Sequence, residues 1–398
     1  MTRLANALAP TLLLGIVACG DGPLAPGLNP EASVAVGAYH ACGLSAEGLT
    51  TCWGVNADGQ VGNGNVGNPE LPVDVLGGHQ FALITSGFAH SCGLTEDGAA
   101  YCWGSNGGGR LGNADVPLTG EPMKVSGDLV FASISAGQAH TCAVTVDFTA
   151  YCWGSNTAGQ LGTRDLVPDC GGSCSGTPIE VDAPFSVKSI AAGNGHTCAL
   201  TTDGAAYCWG GNADGQLGNG TLAGSPLPVL VLGGNVFRRL DAGGAHTCGI
   251  LTSGSVVCWG RNSVGQLGDP TVTDSCPTTG AACSSSPRPV DTDLLFQTLS
   301  AGGAHTCGIA EAGTAHCWGG NRGGQLGNGD VFNVPVPQQV LGALMLQSLD
   351  TGAEHTCGVS VDAEVFCWGD NFRLQIGTGL SVFRYLEPTF ILQLSSAP

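Results

Sequence analysis

The sequence predicts an all-β chain folded as a seven-bladed β-propeller with four strands per blade, on three observations. Cys-Trp-Gly recurs at Trp53, Trp103, Trp153, Trp209, Trp259, Trp318 and Trp368, with spacings of 50, 50, 56, 50, 59 and 50, and these are all seven tryptophans of the chain. A second cysteine stands ten residues before the cysteine of every one of these motifs. Each period holds short apolar runs divided by Gly-rich turns, with no helical periodicity, and about fifty residues of such content per repeat is the pattern of propeller blades. A β-helix also repeats, but with much shorter rungs.

Composition narrows the class. Of 398 residues, 66 are Gly, 43% are apolar and only 11% are charged, the reverse of a disordered chain. Twelve basic against thirty-one acidic side chains give a formal charge of −19, a field that repels a phosphate backbone, so nucleic acid is not an expected partner. Nineteen cysteines imply either metal binding or an oxidising compartment.

The first element is a leader. Residues 1–18 read as Met-Thr-Arg, an apolar stretch from Leu8 to Val17 too short to span a bilayer, and Ile16-Val17-Ala18 before Cys19. This predicts a lipoprotein signal peptide cut before Cys19, which becomes the lipidated N-terminus. An ordinary signal peptide with Cys19 incidental is the alternative. Residues 19–32, rich in Pro and Gly, read as a tether, and residues 33–398 as the propeller.

The core of each blade is a hairpin. In Ala192-Gly-Asn-Gly-His-Thr-Cys-Ala-Leu-Thr-Thr-Asp-Gly-Ala-Ala-Tyr-Cys-Trp-Gly210 the pair Asp203-Gly204 lies between two apolar runs, a turn signal. With residue 203 at the centre, Thr197 opposes Trp209, Cys198 opposes Cys208, Ala199 opposes Tyr207 and Leu200 opposes Ala206. A non-hydrogen-bonded antiparallel pair sets its α-carbons about 4.5 Å apart, within disulfide reach. A small residue faces the bulky position in each repeat (Gly43, Gly93, Ala143, Ala199, Gly249, Gly308, Gly358), as sheets buried on both faces require. Val125 and its neighbours after Pro122, and Phe131–Ile134, exemplify the two remaining strands. The last repeat ends near Leu392 without a strand of the second type, whereas Ser33–Val36 resembles one. The N-terminal strand is therefore expected to complete the last blade and close the ring.

With these residues in place, Ala-Gly-x-x-His-Thr-Cys followed by Cys-Trp-Gly-x-Asn-x-x-Gly-Gln-Leu-Gly resembles the regulator of chromosome condensation repeat, here in an exported, lipoprotein-like form. The resemblance covers residues 33 to about 394 and implies a seven-bladed propeller. Arg110 in place of Gln, Leu374-Gln-Ile-Gly377, and Phe148 in place of the turn Gly depart from it, and paired cysteines are unusual for the nuclear members.

The cysteines fall into nine local pairs. Seven are in phase: Cys42 with Cys52, Cys92 with Cys102, Cys142 with Cys152, Cys198 with Cys208, Cys248 with Cys258, Cys307 with Cys317, and Cys357 with Cys367. Cys170 with Cys174 and Cys276 with Cys283 lie in the inserted residues of the two long periods, leaving Cys19 as the odd one. Nine disulfides and an oxidising compartment follow. The competing metal reading takes His-x-Cys plus the later Cys as three ligands, without a fourth in phase and without Cys-x-x-Cys spacing.

Repetition assigns the seven in-phase histidines (His40, His90, His140, His196, His246, His305, His355) a structural role, a capped turn or a bond to a Gly-rich loop. His79 is expected on an exposed loop, and His316 to replace the Tyr207-type aromatic. Asn-Ala-Asp-Gly at 56–59 and 212–215 matches part of a calcium loop but lacks its full ligand pattern, so a turn is favoured. No catalytic residue, metal site or cofactor is predicted.

Strand alternation puts the Asp-Gly turns on one face of the disc and the Gly-x-Asn loops and Ala-Gly-x-x-His turns on the other. Both Cys-braced insertions would project from that second face, with candidate contact residues Asp169, Gly171, Gly172 and Ser173 on blade 3 and Ser275, Pro277, Thr278 and Thr279 on blade 5. Plain length variation is the alternative. The leading functional reading is a non-enzymatic, monomeric, lipid-anchored binding or scaffold propeller of a bacterial envelope, with an envelope or extracellular protein as partner. The resemblance also implies nucleotide exchange on a small GTPase, as in nuclear members, or protein inhibition, as in a secreted β-lactamase inhibitor. A hydrolase or lyase would need polar residues that break the repeat, and Arg164, Arg261 and His316 form no constellation.

Overall fold

The computed structural model describes residues 30–114, 117–164 and 173–394. Cys19 and the leader and tether through residue 29 therefore lie outside the described residues, as do Asp169, Cys170, Gly171 and Gly172. Among the described residues twenty-eight strands, β1 to β28, form seven four-stranded antiparallel sheets, each of four consecutive strands ordered from the central channel outward.

The expected hairpin register is present: Thr197 opposes Trp209, Cys198 opposes Cys208, Ala199 opposes Tyr207 and Leu200 opposes Ala206. The second strand of a blade is buried on both sides because neighbouring sheets cover both faces; His140–Thr145 has no exposed residue. All seven tryptophans are fully buried. Each fills the space between its own sheet and the preceding blade, where Leu111 of one blade meets Trp153 of the next. After each Trp a glycine is obligatory. Gly210 has φ +101, and a Cβ on it would lie 2.6 Å from the Gly195 carbonyl oxygen, while the ladder shifts register at that point.

The outermost strands differ from the expectation drawn from Val125. That strand runs Leu118–Lys124, with Pro122 inside it and Val125 beyond its end. Proline is tolerated because this is an edge, where a missing N–H costs no ladder bond. Ser225–Leu230 and Val334–Gln339 carry two prolines each, which also blocks edge-to-edge pairing.

Ring closure also differs. β1 (Ser33–Val36) pairs with β2 (His40–Leu44) of its own blade, and β25 (Leu346–Thr351) supplies the inner strand of blade 7 by pairing with β26 (His355–Ser360). The inner strand precedes its hairpin in every blade, so seven hairpins already own seven inner strands and no exchange occurs. The seam closes face to face. Val36 N donates to Asp350 Oδ2 at 2.6 Å, Gln347 Nε2 donates to the Ala32 carbonyl at 3.2 Å, and Val34, Val36 and Trp53 pack with Val359, Ile376 and Leu394.

Candidate functional site

The repeated motif residues build the ring. Asn212 Oδ1 accepts from Leu217 N at 2.9 Å and Gln216 Oε1 accepts from Asp214 N at 3.0 Å, which folds the Gly-x-Asn-x-x-Gly-Gln-Leu-Gly loop. The Gln216 carbonyl then accepts both Trp259 Nε1 at 2.8 Å and Thr247 Oγ1 at 2.9 Å from the next blade. Because that hydroxyl donates to the carbonyl, its oxygen is left to accept from His196 Nε2 at 2.9 Å. The six histidines that make this contact are thus neutral with the proton on Nε2, and the structural role expected of them is a bond between blades, to a neighbouring hydroxyl rather than to a capped turn or a Gly-rich loop. The same contact links His40 to Ser91, His90 to Thr141, His140 to Thr197, His246 to Thr306 and His305 to Thr356. Burial drives all seven imidazoles far below the usual histidine range, to about 4 for His40 and His196 and about 3 for His140, His246, His305 and His355. The metal alternative fails on chemistry, since the fourteen in-phase cysteines are joined in bridges.

One link is broken, at the seam. Blade 1 has Ala41 where the other blades have Thr or Ser, so His355 Nε2 lacks a hydrogen-bond partner. Ala41→Ser copies the Ser91 arrangement of blade 2. It should raise the unfolding free energy by roughly 1 kcal/mol, the net worth of one buried hydrogen bond, read as a higher denaturant midpoint at unchanged slope.

The central channel is ringed by Gly37, Gly87, Gly137, Gly193, Gly243, Gly302 and Gly352, each so close that an added Cβ would collide with the next blade's glycine carbonyl. A cavity of about 180 Å³ remains. Of the seven residues five before an in-phase histidine, Thr85, Ser135, Asp241, Ser300 and Asp350 line it, and two of these are acids. Asp241 Oδ2 accepts from Ala301 N at 2.6 Å, as Asp350 does from Val36, and Ser300 Oγ donates to Asp350 Oδ1 at 2.7 Å. Each carboxyl caps the adjoining blade. Burial raises both acids, Asp350 to about 7 with help from the Asp241 charge. Their signal in the sequence is an acid at a position where other repeats carry Ala, Ser or Thr.

The expected division of faces holds. The start of each Gly-x-Asn loop bonds the neighbouring His turn, as in Val55 N to the Tyr39 carbonyl at 2.9 Å, and the Asp-Gly turns lie at the opposite end of the strands. On the first of these faces the Cys276–Cys283 bridge braces the blade 5 insertion, with Cα atoms 5.8 Å apart. Ser275, Pro277, Thr278 and Thr279 are exposed, yet Thr279 Oγ1 donates to Asp214 Oδ1 of blade 4 at 2.8 Å. Arg261 holds the same Asp214 in a two-pronged pair at 2.9 and 3.0 Å, so this acid of the Asn-Ala-Asp-Gly stretch anchors the insertion. On blade 3, Ser173 is exposed and its carbonyl accepts from Asn156 N at 2.7 Å, and Cys174 is disulfide-bonded. His316 takes the Tyr207 position opposite Gly308, as expected, whereas His79 is half-buried against the Tyr101 ring, 4.2 Å between centroids.

Comparison with known proteins agrees with this architecture. The RCC1-like domain model matches residues 23–279, and models of the regulator of chromosome condensation (RCC1) repeat match residues 312–359, 296–325 and 347–375. Among solved structures, Prp20p from Saccharomyces cerevisiae is 20% identical with a TM-score of 0.76, over 88% of this chain and 87% of that one. Human WBSCR16 is also 20% identical with a TM-score of 0.76, over 91% and 94%. The CRINKLY WD40 ectodomain of the Arabidopsis thaliana receptor kinase ACR4 is 22% identical with a TM-score of 0.52, over 89% and 99%. These likenesses are of fold, while the domain model spans most of the chain and its repeats coincide with the blades described above: the chain belongs to the RCC1-like domain family.

Proposed function

We propose that the protein is a non-enzymatic, lipid-anchored, extracytoplasmic binding propeller that holds a protein partner on the face carrying the two insertions. The observation that carries this is the blade 5 insertion, exposed but fixed by its own bridge and by Thr279 on Asp214, since a contact loop ordered beforehand loses less entropy on binding. The blade 3 insertion falls at the equivalent position of its repeat in the sequence, Cys170 and Cys276 each lying seventeen residues after the motif tryptophan, and Cys174 is disulfide-bonded. Buried bridges in every blade suit an oxidising compartment, and the proposed anchor is a lipid on Cys19; no helix among the described residues is long and apolar enough to cross a membrane. Prp20p has binding properties to Gsp1p and histones, a precedent for protein partners on this fold. Nucleotide exchange is the weaker reading, since export and a charge of −19 oppose it.

The test combines fractionation with partner capture. Cys19→Ser should move the protein from the membrane to the soluble fraction. Shortening residues 165–173 and 270–282, with Cys174 and Cys283 changed to Ser, should abolish capture of the envelope partner while changing stability by about 1 kcal/mol per loop. Retained capture, or its loss on altering the Asp-Gly turns instead, would place the site elsewhere.

A further inference from the structure

Blade 7 departs from the repeat where its third strand passes to its fourth, on the same face as the insertions. Phe372 stands where the other six blades have Ala57, Gly107, Thr157, Ala213, Ser263 and Arg322. Leu374 has φ +63 at a position that is glycine in all the others, Gly59 and Gly324 among them, so a residue poorly suited to the left-handed region is kept there. Phe383 occupies the site of Asn68 and Asn333, whose side-chain oxygens accept Asn56 N at 2.8 Å and Asn321 N at 3.0 Å to close their loops; in blade 7 the Phe383 carbonyl takes that role, as backbone carbonyls do in blades 2, 3 and 5, so the aromatic ring itself is not needed for closure. The two phenylalanines are apolar surface that the loop's own hydrogen bonds do not require. Phe372 and Phe383 stack with centroids 6.1 Å apart, and they are 71% and 69% exposed.

Arginines flank this pair. Arg373 lies 4.5 Å from the centroid of the Tyr39 ring at the channel mouth, and Arg384 Nη1 donates to the Arg322 carbonyl at 3.0 Å, so all three line one stretch of blades 6, 7 and 1. All three are exposed, and no carboxylate among the described residues lies within ion-pair distance of them. Asp370 opposes Arg384 in the ladder, but its carboxylate accepts from Gln375 Nε2 at 2.6 Å and faces Phe372 N at 3.4 Å. Exposed Glu354, whose carbonyl accepts from Asp370 N, is the other acid beside the patch, so on a chain with twelve basic and thirty-one acidic residues three arginines against two acids make it locally net positive.

We propose that this surface docks an acidic segment of a partner protein bearing aromatic or aliphatic side chains, whose apolar groups pack on Phe372 and Phe383 and whose carboxylates meet Arg322, Arg373 and Arg384. Charge complementarity selects the occupant: a basic partner would meet repulsion here, and a purely apolar one would leave the arginines unused. Phenylalanine and arginine are also among the residue types enriched at protein interfaces. The inference rests on the proposed binding role of this face but names a different part of it from the insertions.

A random displayed-peptide library selected on the intact, oxidised propeller tests it. Selected peptides should be enriched in Asp and Glu together with Phe, Trp or Leu, and their affinity should fall as salt rises. The paired change Phe372→Ala and Phe383→Ala should weaken a selected peptide at least tenfold, and so should Arg373→Glu, with the thermal midpoint checked to show that both variants fold. Trimming the insertions should leave peptide binding unchanged, so partner capture lost by trimming and peptide binding lost by the blade 7 variants report separately. Selection of basic or charge-free peptides, equal affinity for the variants, or binding only to anionic phosphatidylglycerol vesicles would overturn the proposal.

Discussion

Lowering the pH from 7 to 5 is expected to unfold the protein, or to bring it close to unfolding, because of the histidine ring. In the unfolded chain a histidine titrates near 6.5; in the native state burial holds His140, His246, His305 and His355 at about 3 and His40 and His196 at about 4, with His90 displaced in the same direction. A depressed native value means that the unfolded state binds more protons. These groups therefore contribute stability that is complete above about pH 6.5 and lost as pH falls toward 4. Asp350, raised to about 7, acts in the opposite sense: its protonated form is favoured in the native state, so its contribution declines as pH rises from about 4 to 7, and Asp241 shares the direction. Seven histidines bind protons on unfolding, against Asp350, with Asp241 acting in the same sense as Asp350, so near pH 5 the unfolded state binds more protons and stability falls steeply as pH drops. Denaturant midpoints measured from pH 7.5 to 4.5 read this directly. His196→Gln, which keeps an N–H donor toward Thr247 and removes one titrating group, should lower the slope by about one proton. A midpoint that stays level or rises toward pH 5 would mean that the ring is charged in the native state.

What could be read in advance was whatever the repeat writes locally. The ten-residue cysteine spacing and Asp203-Gly204 specify a hairpin, and the register from Thr197 to Trp209 followed from counting. Alternation of strand direction then separated the two faces. Contacts between blades were not legible, because they join residues about fifty or more positions apart: nothing near His196 in sequence says that its Nε2 donates to Thr247. Closure was misread for a related reason. Leu346–Thr351 reads Leu-Gln-Ser-Leu-Asp-Thr, too polar to stand out as a strand, because its polar residues face a channel and its Asp350 caps blade 1. The edge strands were displaced by the rule that proline begins a strand, which an unpaired edge relaxes. Asp241 and Asp350, which share one position in two repeats, and the blade 7 aromatics are exceptions to the repeat, visible only when all seven copies are aligned by their role in the fold. Phe148 was visible for that reason. It stands at the turn position of Gly204, and it adopts φ +67 there against +88 for the glycine.

Reduction is expected to have the second large effect, and it should act on the unfolded state more than on native contacts. Each hairpin bridge joins a directly opposed pair with Cα atoms 4.0 to 4.1 Å apart, so it matches a register that the hydrogen-bonded ladder already sets. Its effect lies in the chain it constrains. Closing an eleven-residue loop removes denatured-state entropy worth about 3 kcal/mol, and seven such loops together exceed the roughly 5–15 kcal/mol by which ordinary domains are stable. The fully reduced chain should therefore not refold after transfer from guanidinium, whereas the oxidised chain should recover its tryptophan fluorescence. Native reduction should nevertheless be slow, because every hairpin cysteine is buried to 1% exposure or less and a reductant must wait for an opening. The insertion bridges come first: Cys283 is 9% exposed and Cys174 is half-buried, so thiol trapping followed by mass analysis should detect Cys276–Cys283 and the Cys174 bridge open while all seven hairpin bridges persist. Early loss of a hairpin bridge would identify the blade that opens first, and blade 1 is the expected candidate, since its seam with blade 7 lacks the hydroxyl that links every other pair.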